Sequence, residues 1–129
     1  MFKAWDEEGI EKVAYDFFAE QPILGARVYF YHHILHNWPD ADCLIILEQV
    51  VVGMTAGYSK LLLHEVILPE HGASQFEGSL DLVMMAFNRG MERTRKQWRE
   101  LLAKAGLQVI QFWKATEEDG DGVVEAMKM

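Results

Sequence analysis

With 129 residues, half of them hydrophobic and a quarter charged, the chain has the composition of a folded domain and not of a disordered segment. Its formal net charge of −8 excludes the basic face that phosphate neutralisation needs, which argues against nucleic acid and acidic membrane surfaces as partners. A single cysteine, Cys43, rules out an internal disulfide, and the acidic start of the chain (Asp6, Glu7, Glu8, Glu11) lacks the apolar segment of a signal peptide. The longest apolar run, CLIILEQVVVGM, is broken by Glu48 and Gln49 and is too short to span a bilayer. The expectation is one soluble, cytoplasmic domain covering residues 1–129.

In chain order, GIEKVAYDFF is a short strand candidate, and GARVYFYHHI, rich in β-branched and aromatic residues after a glycine, predicts a buried strand. NWPDADCLIILEQVVVGM then predicts a helix, with Asp40 as its cap after Pro39. Leu44, Leu47, Val51 and Met54 fall at helical spacing, and Gly57 is the stop. YSKLLLHEVILP is a second extended run ended by Pro69, and SLDLVMMAFN a further helix, in which Met84 and Met85 read first as core. The strongest helix signal is ERTRKQWRELLAKAG. Thr94 and Gln97 form a capping box, Trp98, Leu101, Leu102 and Ala105 make the apolar face, and Gly106 ends it. Arg93, Arg95, Lys96, Arg99 and Lys104 read as its solvated face. LQVIQFWKA and GVVEAMKM give two more strands around the acidic turn TEEDGDG. The pattern is α/β, with a parallel core and one antiparallel strand at the end.

Three of the five histidines lie together in VYFYHHILHNW. His32 and His36 have the spacing of the zinc ligands in H-E-x-x-H, but His33 stands where that motif needs glutamate. Extended backbone should throw His32 and His33 to opposite faces, so no metal is expected there. Glu65 is embedded in an apolar strand, where an ionised carboxylate is costly unless paired, and this favours a site role. Glu92 fits equally a site role or an acid complementing a helix dipole. Cys43 reads as buried and inert.

Taken together, FYHHILHNWPDADC, SKLLLHEVILPE, DLVMMAFNRGMERTRKQW and LLAKAGLQVI resemble, in order and spacing, the C-terminal part of the S-adenosylmethionine-dependent O-methyltransferases of plant and fungal secondary metabolism. The likeness runs from about Gly9 to the end. It implies a partial Rossmann-like class I methyltransferase fold: the C-terminal half of the sheet with a terminal antiparallel strand, truncated so as to lack the N-terminal helical domain and the glycine-rich cofactor loop. It implies His36 as general base, Glu65 and Glu92 as the carboxylates flanking it, and Met84 and Asn88 as acceptor-pocket residues. Asn37 departs from the family's aspartate, which touches only a supporting contact. The likeness puts Asp16 and Phe17 on the adenine side of the methyl donor, and His32 where a donor-contacting lysine is common.

S-adenosylmethionine is thus implied by resemblance only. No G-x-G-x-x-G occurs, and the lone GDG at residues 120–122 lacks a strand-to-helix setting, so weak donor binding or none is expected of the chain alone. Three functions fit. One is an O-methyltransferase-like enzyme acting on a phenolic, enolic or polyketide-like small molecule, with a partner completing the donor site. Another is a cofactor-independent cyclase, isomerase or lyase using the same acid–base pocket. The last is a non-catalytic paralogue that modulates a full-length enzyme. The strand at residues 27–33 is expected to be an exposed edge that pairs in a homodimer or heteromer, unless GIEKVAYDFF folds over it.

Overall fold

The computed structural model describes residues 2–5, 9–68, 92–114 and 121–129. Met84, Asn88 and the helix expected over SLDLVMMAFN lie outside these residues. In chain order the elements are β1 (Phe2–Trp5), β2 (Glu11–Ala14), β3 (Val28–His32), a 3₁₀ turn (Leu35–Asn37), α1 (Asp40–Gly53), β4 (Lys60–Glu65), β5 (Ile67–Leu68), β6 (Arg93–Thr94), α2 (Arg95–Lys104), β7 (Leu107–Lys114) and β8 (Gly122–Lys128).

Four strands form the main sheet in the order β3-β4-β8-β7, with β3 and β4 parallel and β8 antiparallel to both of its neighbours. The antiparallel strand is the last in the chain, as expected, but it inserts between β4 and β7. β1 and β2 make a separate antiparallel pair, and β5 and β6 a short parallel one. β2 pairs with β1 and not with β3, and among the described residues β4 is the strand partner of β3. Val28 and Phe30, on the face of β3 opposite buried Tyr29, are 46% and 55% exposed.

Period-two alternation decides which side chains face the helices. Leu61, Leu63 and Glu65 of β4 are buried, while Lys60, Leu62 and His64 are half-buried on the other face. The core joins Tyr29, Leu61, Leu63, Val124 and Ala126 of the sheet to Cys43, Ile46, Leu47 and Val50 of α1 and to Trp98, Leu101 and Leu102 of α2. Burial of each large aliphatic or aromatic side chain here contributes roughly 1.5–3 kcal/mol.

α2 matches its sequence signals. Thr94 Oγ1 accepts from the Gln97 N–H at 3.2 Å, Gln97 Oε1 accepts from the Thr94 N–H at 2.9 Å, and Gly106 lies at φ +83° just beyond the end. α1 departs from them in three ways. Pro39 is the N-cap residue, and Asp40 already belongs to the helix without capping it. The buried positions include Cys43, Ile46 and Val50, with Leu44 and Val51 only partly buried, because the helix is apolar nearly all round and spacing alone cannot choose its face. The helix also ends at Gly53, not near Gly57. The Gly53 carbonyl is taken by the Gly25 N–H at 2.8 Å and the Tyr29 hydroxyl at 2.9 Å, and Gly57 serves the following turn at φ +74°.

Gly122 opens β8 where there is no room for a side chain. A Cβ there would meet Ile67 Cδ1 at 2.6 Å and the Trp113 carbonyl oxygen at 2.8 Å. The carbonyl belongs to the paired strand and cannot swing away, so Gly122→Ala is expected to destabilise the fold by about 1–3 kcal/mol. A urea midpoint unchanged from wild type would contradict this close approach.

Candidate active site at the carboxyl ends of β3 and β4

Ligands of open α/β sheets gather beyond the carboxyl ends of parallel strands. Here β3 runs into the 3₁₀ turn carrying His36, and β4 ends at Glu65. Glu65 Oε1 accepts the Leu35 N–H at 3.0 Å, so the β4 carboxylate fixes the start of the turn. Glu92, immediately before β6, places Oε1 2.9 Å from His36 Nδ1. The three residues are 7% (His36), 0% (Glu65) and 2% (Glu92) exposed, and they offer donor atoms within 4.8 Å of one another. His36, Glu65 and Glu92, far apart in sequence, therefore form one buried cluster, and Glu92 is an imidazole partner here.

Arg93 corrects the sequence reading. It was expected on a solvated helix face but is completely buried. Its Nε and Nη2 donate to Asp40 Oδ1 at 3.0 and 2.8 Å, Nη1 donates to the Leu35 carbonyl at 3.3 Å, and Nη2 to the Trp38 carbonyl at 3.1 Å. Its guanidinium carbon also lies 5.3 Å from the Trp98 ring centroid. The planar fork thus ties the His36 turn to the first turn of α1, which explains why Asp40 is not a cap. Spacing could not separate Arg93 from its exposed neighbours, since it precedes the helix and lies in β6.

Burial pushes the His36 pKa down, but the hydrogen bond to Glu92 and the charges of Glu65 and Glu92 outweigh it, so the net direction is up from 6.5. Glu65 is pushed up to about 7 by burial, partly offset by His36 and the Leu35 N–H. A carboxyl whose folded pKa exceeds its unfolded value holds its proton more tightly when folded. Stability is therefore full below 4.5 and is lost as pH rises towards about 7. Glu65→Gln keeps an acceptor for Leu35 but cannot ionise. It is expected to remove a loss on the order of 2 kcal/mol between about pH 4.5 and about pH 8, read from urea midpoints. A variant as pH-sensitive as wild type over this range would refute the assignment to Glu65.

Phe17 and His32 line a pocket of about 200 Å³ with Tyr15, Phe30, Tyr31 and Ile34. Asp16 sits beside it, its Oδ1 accepting the Phe18 N–H at 2.9 Å in a local turn. The pocket suits a flat aromatic ring, but it is smaller than a site enclosing a whole cofactor-sized ligand.

The other histidines also differ from expectation. His33 lies at φ +51°, a left-handed conformation that costs an L residue roughly 1–2 kcal/mol. This breaks the strand alternation, so the His32 and His33 rings come to 4.4 Å between centroids and do not face apart. His33 Nε2 lies 2.6 Å from Asp121 Oδ2, and His33 is also 4.9 Å from the His36 ring. Asp121, within the GDG that carried no motif signal, was not foreseen, and no sequence spacing marks it.

A family model described as an O-methyltransferase domain matches residues 1–108. The chain belongs to the O-methyltransferase domain family. Among its relatives, the O-methyltransferase asqD of Emericella nidulans is 59% identical over 93% of this chain and 31% of its own length. The O-methyltransferase penC of Penicillium thymicola is 55% identical over 93% of this chain and 30% of its own length. The chain thus spans about a third of these curated relatives. Among solved structures, LepI in complex with SAM superposes at TM-score 0.91 with 34% identity, over 96% of this chain and 32% of LepI. OxaC in complex with SAH and oxaline gives 0.87 and 39%, over 95% of this chain and 31% of OxaC. The mixed sheet is therefore part of the class I S-adenosylmethionine methyltransferase fold. No helix among the described residues is long and apolar enough to cross a membrane.

Proposed function

We propose that the chain supplies the acid–base half of a secondary-metabolism O-methyltransferase, with His36 as the base for a phenolic or enolic hydroxyl of a polyketide-like small molecule. The observation that carries this reading is the buried 2.9 Å contact between His36 Nδ1 and Glu92. It supports the tautomer in which Nδ1–H donates to the carboxylate and Nε2 is the basic nitrogen. A phenol with pKa near ~10 is mostly unionised at neutral pH, and a positioned imidazole can take its proton as the oxygen attacks. Glu92 orients the ring and stabilises the imidazolium, while Glu65 holds the turn through the Leu35 N–H and adds negative charge when ionised.

S-adenosylmethionine supplies the methyl group when bound. Phe17 and His32 line its adenine-side pocket with Asp16 beside it, Met84 and Asn88 contact the acceptor, and the remaining donor contacts come from a partner or a longer polypeptide. The chain works in the cytoplasm as a homodimer or heteromer joined through β3, whose place at the end of the four-strand order supports pairing there. Calorimetric titration with S-adenosylmethionine tests the donor claim: no heat of tight binding is expected from the chain alone, and micromolar affinity would overturn the need for completion. For the base, the test is product formation by His36→Ala once the donor site is complete.

A second reading keeps the acid–base cluster without methyl transfer, as in a cyclase, isomerase or lyase. One solved structure, a pericyclic reaction enzyme, superposes at TM-score 0.91 with 34% identity. Glu65, with its pKa pushed up to about 7, could supply a neutral acid. Product that forms at unchanged substrate mass, without the methyl donor, would favour this reading. In a third, the β3 edge binds and modulates a full-length enzyme non-catalytically; a chain that is monomeric in sedimentation and captures no methyltransferase would count against it.

A further inference from the structure

The buried triad leaves a second group of titratable side chains unexplained on the opposite face of the sheet. His32 and His64 stand directly opposite each other in the β3–β4 register, their rings stacked at 4.4 Å and 18°. The left-handed turn at His33 brings a third imidazole to the same side. Asp121, just before β8, closes the group, with Oδ2 2.6 Å from His33 Nε2 and 3.5 Å from His64 Nε2. Donor atoms of His32, His33 and Asp121 all lie within 4.8 Å of one another. The side chains of His33, His64 and Asp121 are 32%, 33% and 24% exposed, so an ion has a path from solvent.

We propose that His32, His33, His64 and Asp121 form a binding site for a zinc-class divalent transition-metal ion that pins the ends of β3, β4 and β8. Three imidazoles and one carboxylate suit zinc, cobalt(II) and nickel(II), whereas calcium and magnesium prefer all-oxygen sets. Zinc bonds of about 2.0–2.1 Å in a tetrahedron set donor atoms roughly 3.3 Å apart. The His64–Asp121 separation of 3.5 Å is already close to that, and the His33–Asp121 hydrogen bond must open by a fraction of an ångström. The triad of His36, Glu65 and Glu92 is the competing cluster, but it offers one imidazole and its two carboxylates are almost fully buried. Ligation would also account for the unfavourable backbone of His33, since strain of this kind collects at sites that use it.

The test is cobalt(II) titration of the tag-free chain, read by its visible ligand-field absorption. The expected result is one ion per chain in a four-coordinate spectrum, displaced by zinc, with zinc raising Tm. Asp121→Ala and His64→Ala should each weaken binding by about tenfold or more, while Glu92→Gln leaves it unchanged. Should a variant fail to fold, the wild-type chain still decides, because zinc should protect His32, His33 and His64 from carbethoxylation. Absence of a saturable site, affinity indifferent to Asp121→Ala, loss of binding in Glu92→Gln, or no protection of these histidines would each overturn the proposal.

Discussion

His36→Ala is expected to lower product formation by about 10²–10⁴-fold once the donor site is complete, with the loss in kcat and not in acceptor binding. General-base assistance is absent from the ground state, so removing the imidazole raises the barrier without stripping contacts from the bound acceptor. The pH profile supplies an independent check. The base works only when neutral, and its pKa is held above 6.5, so the rate should climb as pH rises through that elevated value. Glu92→Gln removes the hydrogen-bonding anion, so the climb should move to lower pH while the maximal rate falls for want of ring orientation. A His36→Ala protein with undiminished turnover would sink every catalytic reading of the cluster.

The largest stability effect is expected at Arg93. Arg93→Met preserves much of the buried volume but removes charge-assisted bonds to Asp40 and the bonds to the Leu35 and Trp38 carbonyls. A charge-assisted hydrogen bond contributes about 1.5–3 kcal/mol, and breaking a fully buried pair costs about 3–5 kcal/mol. Asp40 is 54% exposed, so water can solvate it once Arg93 is gone, which lowers the expected cost to about 2–4 kcal/mol. Arg93→Lys keeps the charge without the planar fork and should fall between the two. The measurement is the denaturant midpoint of both variants. A shift for Arg93→Met no larger than that of an exposed substitution such as Lys96→Met would show that the guanidinium does not hold the His36 turn.

Local signals were legible where chemistry and position coincide. The Thr94–Gln97 box and Gly106 marked α2 because caps need particular atoms at particular offsets. Glu65 stood out because a carboxylate between leucines and isoleucine is costly without partners. Those signals failed where several choices satisfied the same pattern. In α1 nearly every face is apolar, so its buried side was settled by the sheet and α2. The basic run from Arg93 onward looked uniform, yet one member is buried and tied to Asp40 while Arg95 and Arg99 lie over the half-buried ring of Phe112.

What the sequence determined by itself is the α/β character, the succession of β3, α1, β4, α2, β7 and β8, the α2 caps and, through the ordered motifs, the O-methyltransferase family. These follow from near-neighbour periodicity and from motifs that are contiguous in the chain. Only the tertiary structure decided that Glu65 and Glu92 converge on His36, that Arg93 is internal, and that His32, His33 and His64 meet Asp121. Each of those contacts joins residues separated by whole elements, or turns on a single backbone angle at His33. Sequence spacing carries no information about such distances until the strands are paired and the helices packed.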